Sequence, residues 1–435
     1  MKHILESLIA NESYMTVPFA SDPYDHVHSD ATLKEIEAFN EELMNYSTVS
    51  NDLDAVKGIL IEKLEQGTPL TNTAANITQV VLESISAKIR HNTYKVSVPE
   101  ASCFYDKKTG LLATRISIEN ITDHIKHLAT SLMEIIKKAW EKIKEFFSHI
   151  FSSNERAKNM LEHTKKIVEE VPDTFTAEVR YLSYKSVSTE DVEDNKKLIS
   201  HQVPFGIKGR CDFESTSTII QDTTKLIDSN RVIILNIIEG LEKVTLSELD
   251  IDLVQNVAEK LMHEVKSQLS NLPLNSKRIS GNKVYYSYGH FIKGQHCLVV
   301  EHVGAQEEHL ASRIFNLEVS LDESKDKELY NPMVLTKSEM KGLIDLTLRL
   351  NERAKQLNKV IPIIDKVLKT NFDRLYNFKN KDDREWDLKV TIHLVRDLFR
   401  YINGNLPRIS GDATRTAMEV DRYIKTCIST YVSKE

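Results

Sequence analysis

Leu132-Met133-Glu134-Ile135-Ile136-Lys137-Lys138-Ala139-Trp140-Glu141-Lys142-Ile143-Lys144-Glu145-Phe146-Phe147-Ser148-His149-Ile150-Phe151 decides the fold class. Leu132, Ile136, Ala139, Ile143, Phe147 and Ile150 recur by threes and fours, the spacing of one helix face. Trp140 and Phe146 widen that stripe, and Lys137, Lys138, Glu141, Lys142, Lys144 and Glu145 cover the opposite side. A basic face backed by aromatics can lie in a membrane interface. Here Glu134, Glu141 and Glu145 share the polar side, so the pattern favours a helix facing a protein core.

Working outward, the helix is expected from about Thr122 to Phe151. A second follows from Asn154 to Val171, capped by Ser153 and stopped by Pro172. Upstream, helical spacing covers Leu33–Leu64, ending at Gly67-Thr68-Pro69, and Ala74–Ile89. Cys103–Ile118 reads as a hairpin turning at Asp106–Gly110. Downstream, Phe175–Lys185 alternates and is expected to pair with Phe205–Phe213. Thr218–Val244 and Leu249–Leu269 read as helices, and Lys283–Val303 and Phe315–Leu321 as strands. Thr336 and Glu339 form a capping box for a helix that should break near Pro362. Trp386–Asn403 and Ala413–Val432 close the chain, the last burying Ala417, Val420, Ile424, Cys427 and Tyr431. The fold class is mainly α (α+β), a helical bundle with small inserted antiparallel β-sheets or hairpins, with helix exceeding strand at least about threefold.

The chain has 435 residues, a length that predicts two or three domains, and at 41% hydrophobic and 28% charged it has enough apolar material to bury a core. The net charge of −7 excludes a strongly basic nucleic-acid binder as a description of the whole chain. Residues 1–119 hold 10 Lys+Arg against 17 Asp+Glu, and residues 120–435 hold 47 of each, so the whole acidic excess sits in the first quarter. Three regions follow: an acidic segment 1–119, a helical region 120–335 with β-rich inserts, and a helical region 336–435. Cys103, Cys211, Cys297 and Cys427 form no CxxC pair and fit a reducing compartment. No apolar run reaches the ~18 residues a membrane span needs.

Chemistry is scarce. The phosphate loop GxxxxGK[ST], GxGxxG, GxSxG and HExxH are all missing from the sequence. His263-Glu264 lacks a second imidazole four residues on. His290, His296, Cys297 and His302 are the best metal-like set, but strand alternation turns Cys297 away from His296 and His302. No catalytic residue, cofactor or metal is therefore expected. Asn154-Glu155-Arg156-Ala157-Lys158 recurs as Asn351-Glu352-Arg353-Ala354-Lys355, and the unmatched flanks read as coincidence.

Ala139–Phe147, with Phe151 and Asn154–Lys158, resembles the phiKZ-like internal head proteins of giant tailed phages, over roughly residues 120–435. The resemblance implies a non-enzymatic virion structural protein, packed in the inner body of the capsid. Its partners would be other virion proteins, the prohead protease, and packaged DNA nearby without sequence-specific binding. It also implies cleavage after a small residue, any residue, then Glu. Eight such triplets lie before the last residue, ending at Glu12, Glu119, Glu141, Glu155, Glu190, Glu242, Glu307 and Glu419. Ser117-Ile118-Glu119 is the expected cut, because the acidic excess ends there and a long helix begins. It should lie outside a helix, with few contacts tying residues 1–119 to the rest. Ala10-Asn11-Glu12 is the alternative. It ends a leader whose Ile4, Leu5, Leu8 and Ile9 make one apolar face, too short to be stable alone. Two other classes compete: a helical interaction or scaffold protein of the infected cytoplasm, and an enzyme with its site in Tyr285–His302. Asn120 as the first residue of the particle-borne protein is the expected result of N-terminal sequencing, and Ser13 would move the cut to the leader.

Overall fold

The Leu132–Phe151 pattern lies within one helix that runs unbroken from Gly110 to Glu170. The computed structural model describes residues 23–88, 100–106, 109–177, 212–246, 251–292, 295–303, 317–323, 333–378 and 385–433. In chain order these form α1 (Pro23–Glu65), α2 (Asn72–Lys88), α3 (Ala101–Tyr105), α4 (Gly110–Glu170) and β1 (Phe175–Ala177). Next come α5 (Phe213–Leu246), α6 (Ile251–Leu269), β2 (Leu274–Ser280), β3 (Lys283–Phe291), β4 (Gln295–His302) and β5 (Leu317–Glu323). The chain ends with α7 (Lys337–Asn358), α8 (Ile361–Phe378), α9 (Glu385–Ser429) and β6 (Tyr431–Ser433). The fold is mainly helical with a small antiparallel sheet, and helix exceeds strand by more than threefold among the described residues.

The expected face of α4 is the buried one. Ile136, Ala139 and Ile143 are fully buried, and Trp140, Phe146, Phe147 and Ile150 nearly so. Lys137 and Lys138 are exposed. Trp140 joins three helices. Its ring meets Phe399 of α9 edge-on at 6.4 Å, and its indole N–H donates to Asp365 of α8 at 2.8 Å. Leu132 to Ile150 of α4, with α5 to α9, build the larger core. Ile36 and Leu43 of α1 enter the same core.

A second core lies toward the other end of α4. There Val49, Leu53 and Leu60 of α1, Leu82 of α2, Phe104 of α3 and Ala113, Ile121 and Ile125 of α4 pack together. The helix is about 90 Å long at 1.5 Å per residue, so one element serves both cores. Gly110 allows the corner at its start. A Cβ there would lie 2.5 Å from the Phe104 carbonyl oxygen and 2.7 Å from the Pro69 Cβ.

Several expectations are corrected. Cys103–Ile118 is not a hairpin: α3 and the first turns of α4 occupy it. Ala113, Thr114 and Ser117 are buried while Leu112, Arg115 and Ile116 are exposed, a helical rather than a two-residue period. Ser153 caps nothing. Its hydroxyl donates to the His149 carbonyl within the continuous helix, which removes the reason to stop there. β1 pairs with β6 at the C-terminus, not with Phe205–Phe213, and Phe213 is already the first residue of α5. Residues 178–211 lie outside the described set. The two helices expected at Trp386–Asn403 and Ala413–Val432 are one helix, α9, which has Pro407 inside it and stops at Ser429, so that Val432 falls in β6. The capping box at Thr336 and Glu339 is present, and the chain breaks at Lys359-Val360, just before Pro362.

β2-β3-β4-β5 form an antiparallel meander, with Tyr285 opposite Val300 and Val299 opposite Val319. The sheet is fixed to α9 by Gln295, which donates to Asp412 at 2.8 Å, and by Arg408, which donates to the Leu321 carbonyl at 2.7 Å.

Two measurements check this packing. Ile143→Ala should cost about 2–4 kcal/mol in urea unfolding, while exposed Lys137→Ala stays within about 0.5 kcal/mol. Burial pushes the Asp365 carboxyl up, but hydrogen bonds from Lys369, Trp140 and Lys144 outweigh it and hold it at about 2. A carboxylate held below its unfolded value adds stability that is complete above about pH 4 and is lost as pH falls through the folded value. Asp365→Asn should therefore destabilise by about 2 kcal/mol at pH 7, the gap to the unmodified protein closing toward pH 2.

Candidate functional site

The described residues of the β insert are placed strand by strand. On β4, Gln295, Cys297 and Val299 face the core, with Cys297 1% exposed, while His296 is half-buried. His302 is 9% exposed, and His263 lies exposed on α6. The side chain of His290 lies outside the described set. Among the described residues, no three His, Cys, Asp or Glu side chains converge as a metal set requires. Burial raises the Tyr286 phenol, helped by Glu301, whose carboxylate accepts from its hydroxyl at 3.3 Å. Burial also pushes Tyr401 well up, and its hydroxyl donates to Asn230 at 2.8 Å. Both phenols stay protonated at neutral pH and serve packing.

Ser117-Ile118-Glu119 lies inside α4 rather than outside a helix. Ser117 is fully buried, and the Glu119 carboxylate, 64% exposed, sits 3.4 Å from Arg115 one turn earlier. A protease needs an extended strand of substrate, which an intact helix does not supply. The contacts differ from expectation too. Ile36 and Leu43 share the larger core, Glu35 pairs with Lys142 at 3.2 Å, and Asn403 donates to the Ile36 carbonyl at 3.4 Å. From Thr32 onward α1 thus packs as part of the body. The triplets ending at Glu141, Glu155, Glu242 and Glu419 also lie on helices, as expected. Those ending at Glu12, Glu190 and Glu307 lie outside the described set, with Ala10.

The five-residue repeat forms a junction that its reading as coincidence missed. Both copies meet where α4 crosses α7. Asn351 donates to the Asn154 carbonyl at 2.9 Å, Lys355 pairs with Glu155, and Ala157 and Ala354 are fully buried between the helices. Asn154 in turn accepts from Thr414 of α9. The signal was the repeat itself: a small Ala three residues after an Asn suits a close crossing of two helices.

The described residues thus define a helical protein with continuous cores and polar junctions between helices. Residues 28–197 match the model of a family described as phiKZ-like phage internal head proteins. The match contains the Trp140–Lys158 segment on which the resemblance rests. It starts far upstream of residue 120 and takes in most of the acidic quarter, while residues 198–435 lie outside it. No curated protein and no solved structure matches the chain. No helix among the described residues is long and apolar enough to cross a membrane.

Burial pushes the Cys427 thiol up to about 11, against weaker pulls from the Leu335 backbone and Tyr423. At pH 8 native Cys427 should resist iodoacetamide and react once guanidinium unfolds the chain. Peptide mass mapping showing it labelled as fast as half-buried Cys103 would contradict the packing of α9.

Proposed function

We propose that this chain is a non-enzymatic structural protein housed inside a phage capsid, among other virion proteins and packaged DNA. The observation that carries the reading is the family match over residues 28–197. Its described part is α1 to α4 with the short β1, and α1 and α4 join the two cores, so the likeness falls on the architectural frame.

Processing by the prohead protease fits the leader better than Glu119. Cutting at Glu119 would remove α1, whose Ile36 and Leu43 fill the larger core, and would break α4. Cutting after Ala10-Asn11-Glu12 would spare every described element. Removing residues 1–12 takes away Glu6 and Glu12 against Lys2, a net −1, so the body entering the DNA-filled head would stay acidic overall.

Mass spectrometry of purified particles should find the chain in heads emptied of tails, with Ser13 as its first residue. Absence from particles, with the protein in infected cytoplasm, would overturn the head location and favour the scaffold alternative. Met1 or Asn120 as the first residue would overturn the leader cut alone.

A further inference from the structure

The balanced charge of residues 120–435 is unevenly distributed. From Val265 to Val300, 36 consecutive residues contain no Asp or Glu and five Lys or Arg, in a chain where Asp and Glu number 64 of 435. The β2–β3 hairpin lies in the middle of that stretch. Its turn, Ser280-Gly281-Asn282-Lys283, uses Gly281 at φ +59, the left-handed conformation a tight hairpin needs.

β2 is the edge strand of the meander, and all seven of its residues are exposed. Lys277 stands opposite Tyr286 with its Nζ 5.4 Å from the ring centroid. Arg278 stands opposite Tyr285 with its Cζ 6.0 Å from the ring centroid. Alternation puts the two cations on opposite faces of the edge strand, and each ring holds its cation without neutralising it. Among the described residues, Lys277, Arg278 and Lys283 make no ion pair, whereas nearby Lys266 is paired with Glu301.

We propose that the β2–β3 hairpin is a contact site for the phosphate backbone of double-stranded DNA. Lys277 on one face of the edge strand, and Arg278 and Lys283 on the other, flank a single edge and offer the point charges that phosphates take, and the outward N–H groups of that edge add neutral donors. An extended acidic peptide is the competing ligand. Lys and Arg in the centre of an edge strand oppose strand addition, and the exposed apolar side chains Leu274 and Ile279 lie toward its ends. A duplex needs no apolar socket, so the duplex is favoured. Such contacts carry no base reading, and the binding is independent of sequence. The head location proposed above supplies the DNA, and the two readings fail separately.

The test is fluorescence anisotropy of the full chain with a mixed-sequence duplex, from about 50 to about 200 mM salt. Replacing the three cations together (Lys277→Gln, Arg278→Gln, Lys283→Gln) should weaken binding at least about tenfold at the lowest salt. It should also flatten the plot of log K against log salt by about 2.7, the slope of three phosphate contacts. The pair Lys137→Gln and Lys138→Gln, exposed on α4, should change neither, and thermal melts should show both variants folded. An unchanged affinity and slope in the triple variant would overturn the proposal. Tighter binding of a fluorescein-labelled polyglutamate peptide than of the duplex, at equal charge, would also overturn it in favour of an acidic protein partner. A chain present in heads but indifferent to these substitutions would keep its location and lose this contact.

Discussion

α9 is a helix surrounded by other elements and yet rich in polar side chains, and the rest of the molecule is arranged around that conflict. Asn403, Asn405, Ser410, Asp412, Thr414, Thr416 and Asp421 are all buried. A buried polar group left without a partner costs about 1–3 kcal/mol, so each must meet a group at a fixed height along the helix. Asp421 accepts from Thr164 of α4 at 2.5 Å, Ser410 donates to Asn358 of α7 at 2.8 Å, and Asp412 accepts from Gln295 of β4. Asn403 reaches the Ile36 carbonyl of α1. Apolar packing alone tolerates sliding of one helix along another. These bonds do not, and they set the register of α1, α4, α7 and the sheet against one axis.

The same helix explains what was legible in the sequence. The α4 stripe was readable because one face of it is apolar and the other charged, and Ile136, Ile143 and Phe147 lie buried as their spacing required. The capping box at Thr336 was readable because its chemistry is local. In α9, Gly404, Pro407 and Gly411 are strong local breakers, and the sequence between Asn403 and Ala413 reads as a loop. Tertiary burial overrides them. Gly411 lies close against Phe146, where a Cβ would come within 3.2 Å of the ring, so its smallness is a packing feature and not a stop. The missed start of α4 has a similar origin. Leu111, Leu112 and Ile116 are apolar but exposed, so hydrophobicity alone misassigned the period there.

The candidate sites were less legible than the fold. Nucleophile and metal spacings are local patterns, so they could be sought in the sequence alone. What composition hid was placement. The totals for residues 120–435 cancel to zero, and only the strand register shows that Lys277 and Arg278 share one exposed edge. The charge step near residue 119 suggested a structural border, yet α4 crosses it without interruption. Charge composition and helix continuity answer to different constraints, solvent on one side and backbone hydrogen bonding on the other.

The continuity of α4 has a mechanical consequence. A rod spanning both cores, clamped by α1 along much of its length, has no hinge at which one core can tilt against the other. Force applied at the corner near Gly110 travels along the backbone hydrogen bonds to the junction where Asn154 meets Asn351 and Thr414. Load on one core thus reaches the other through a single hydrogen-bonded rod and not through a loop.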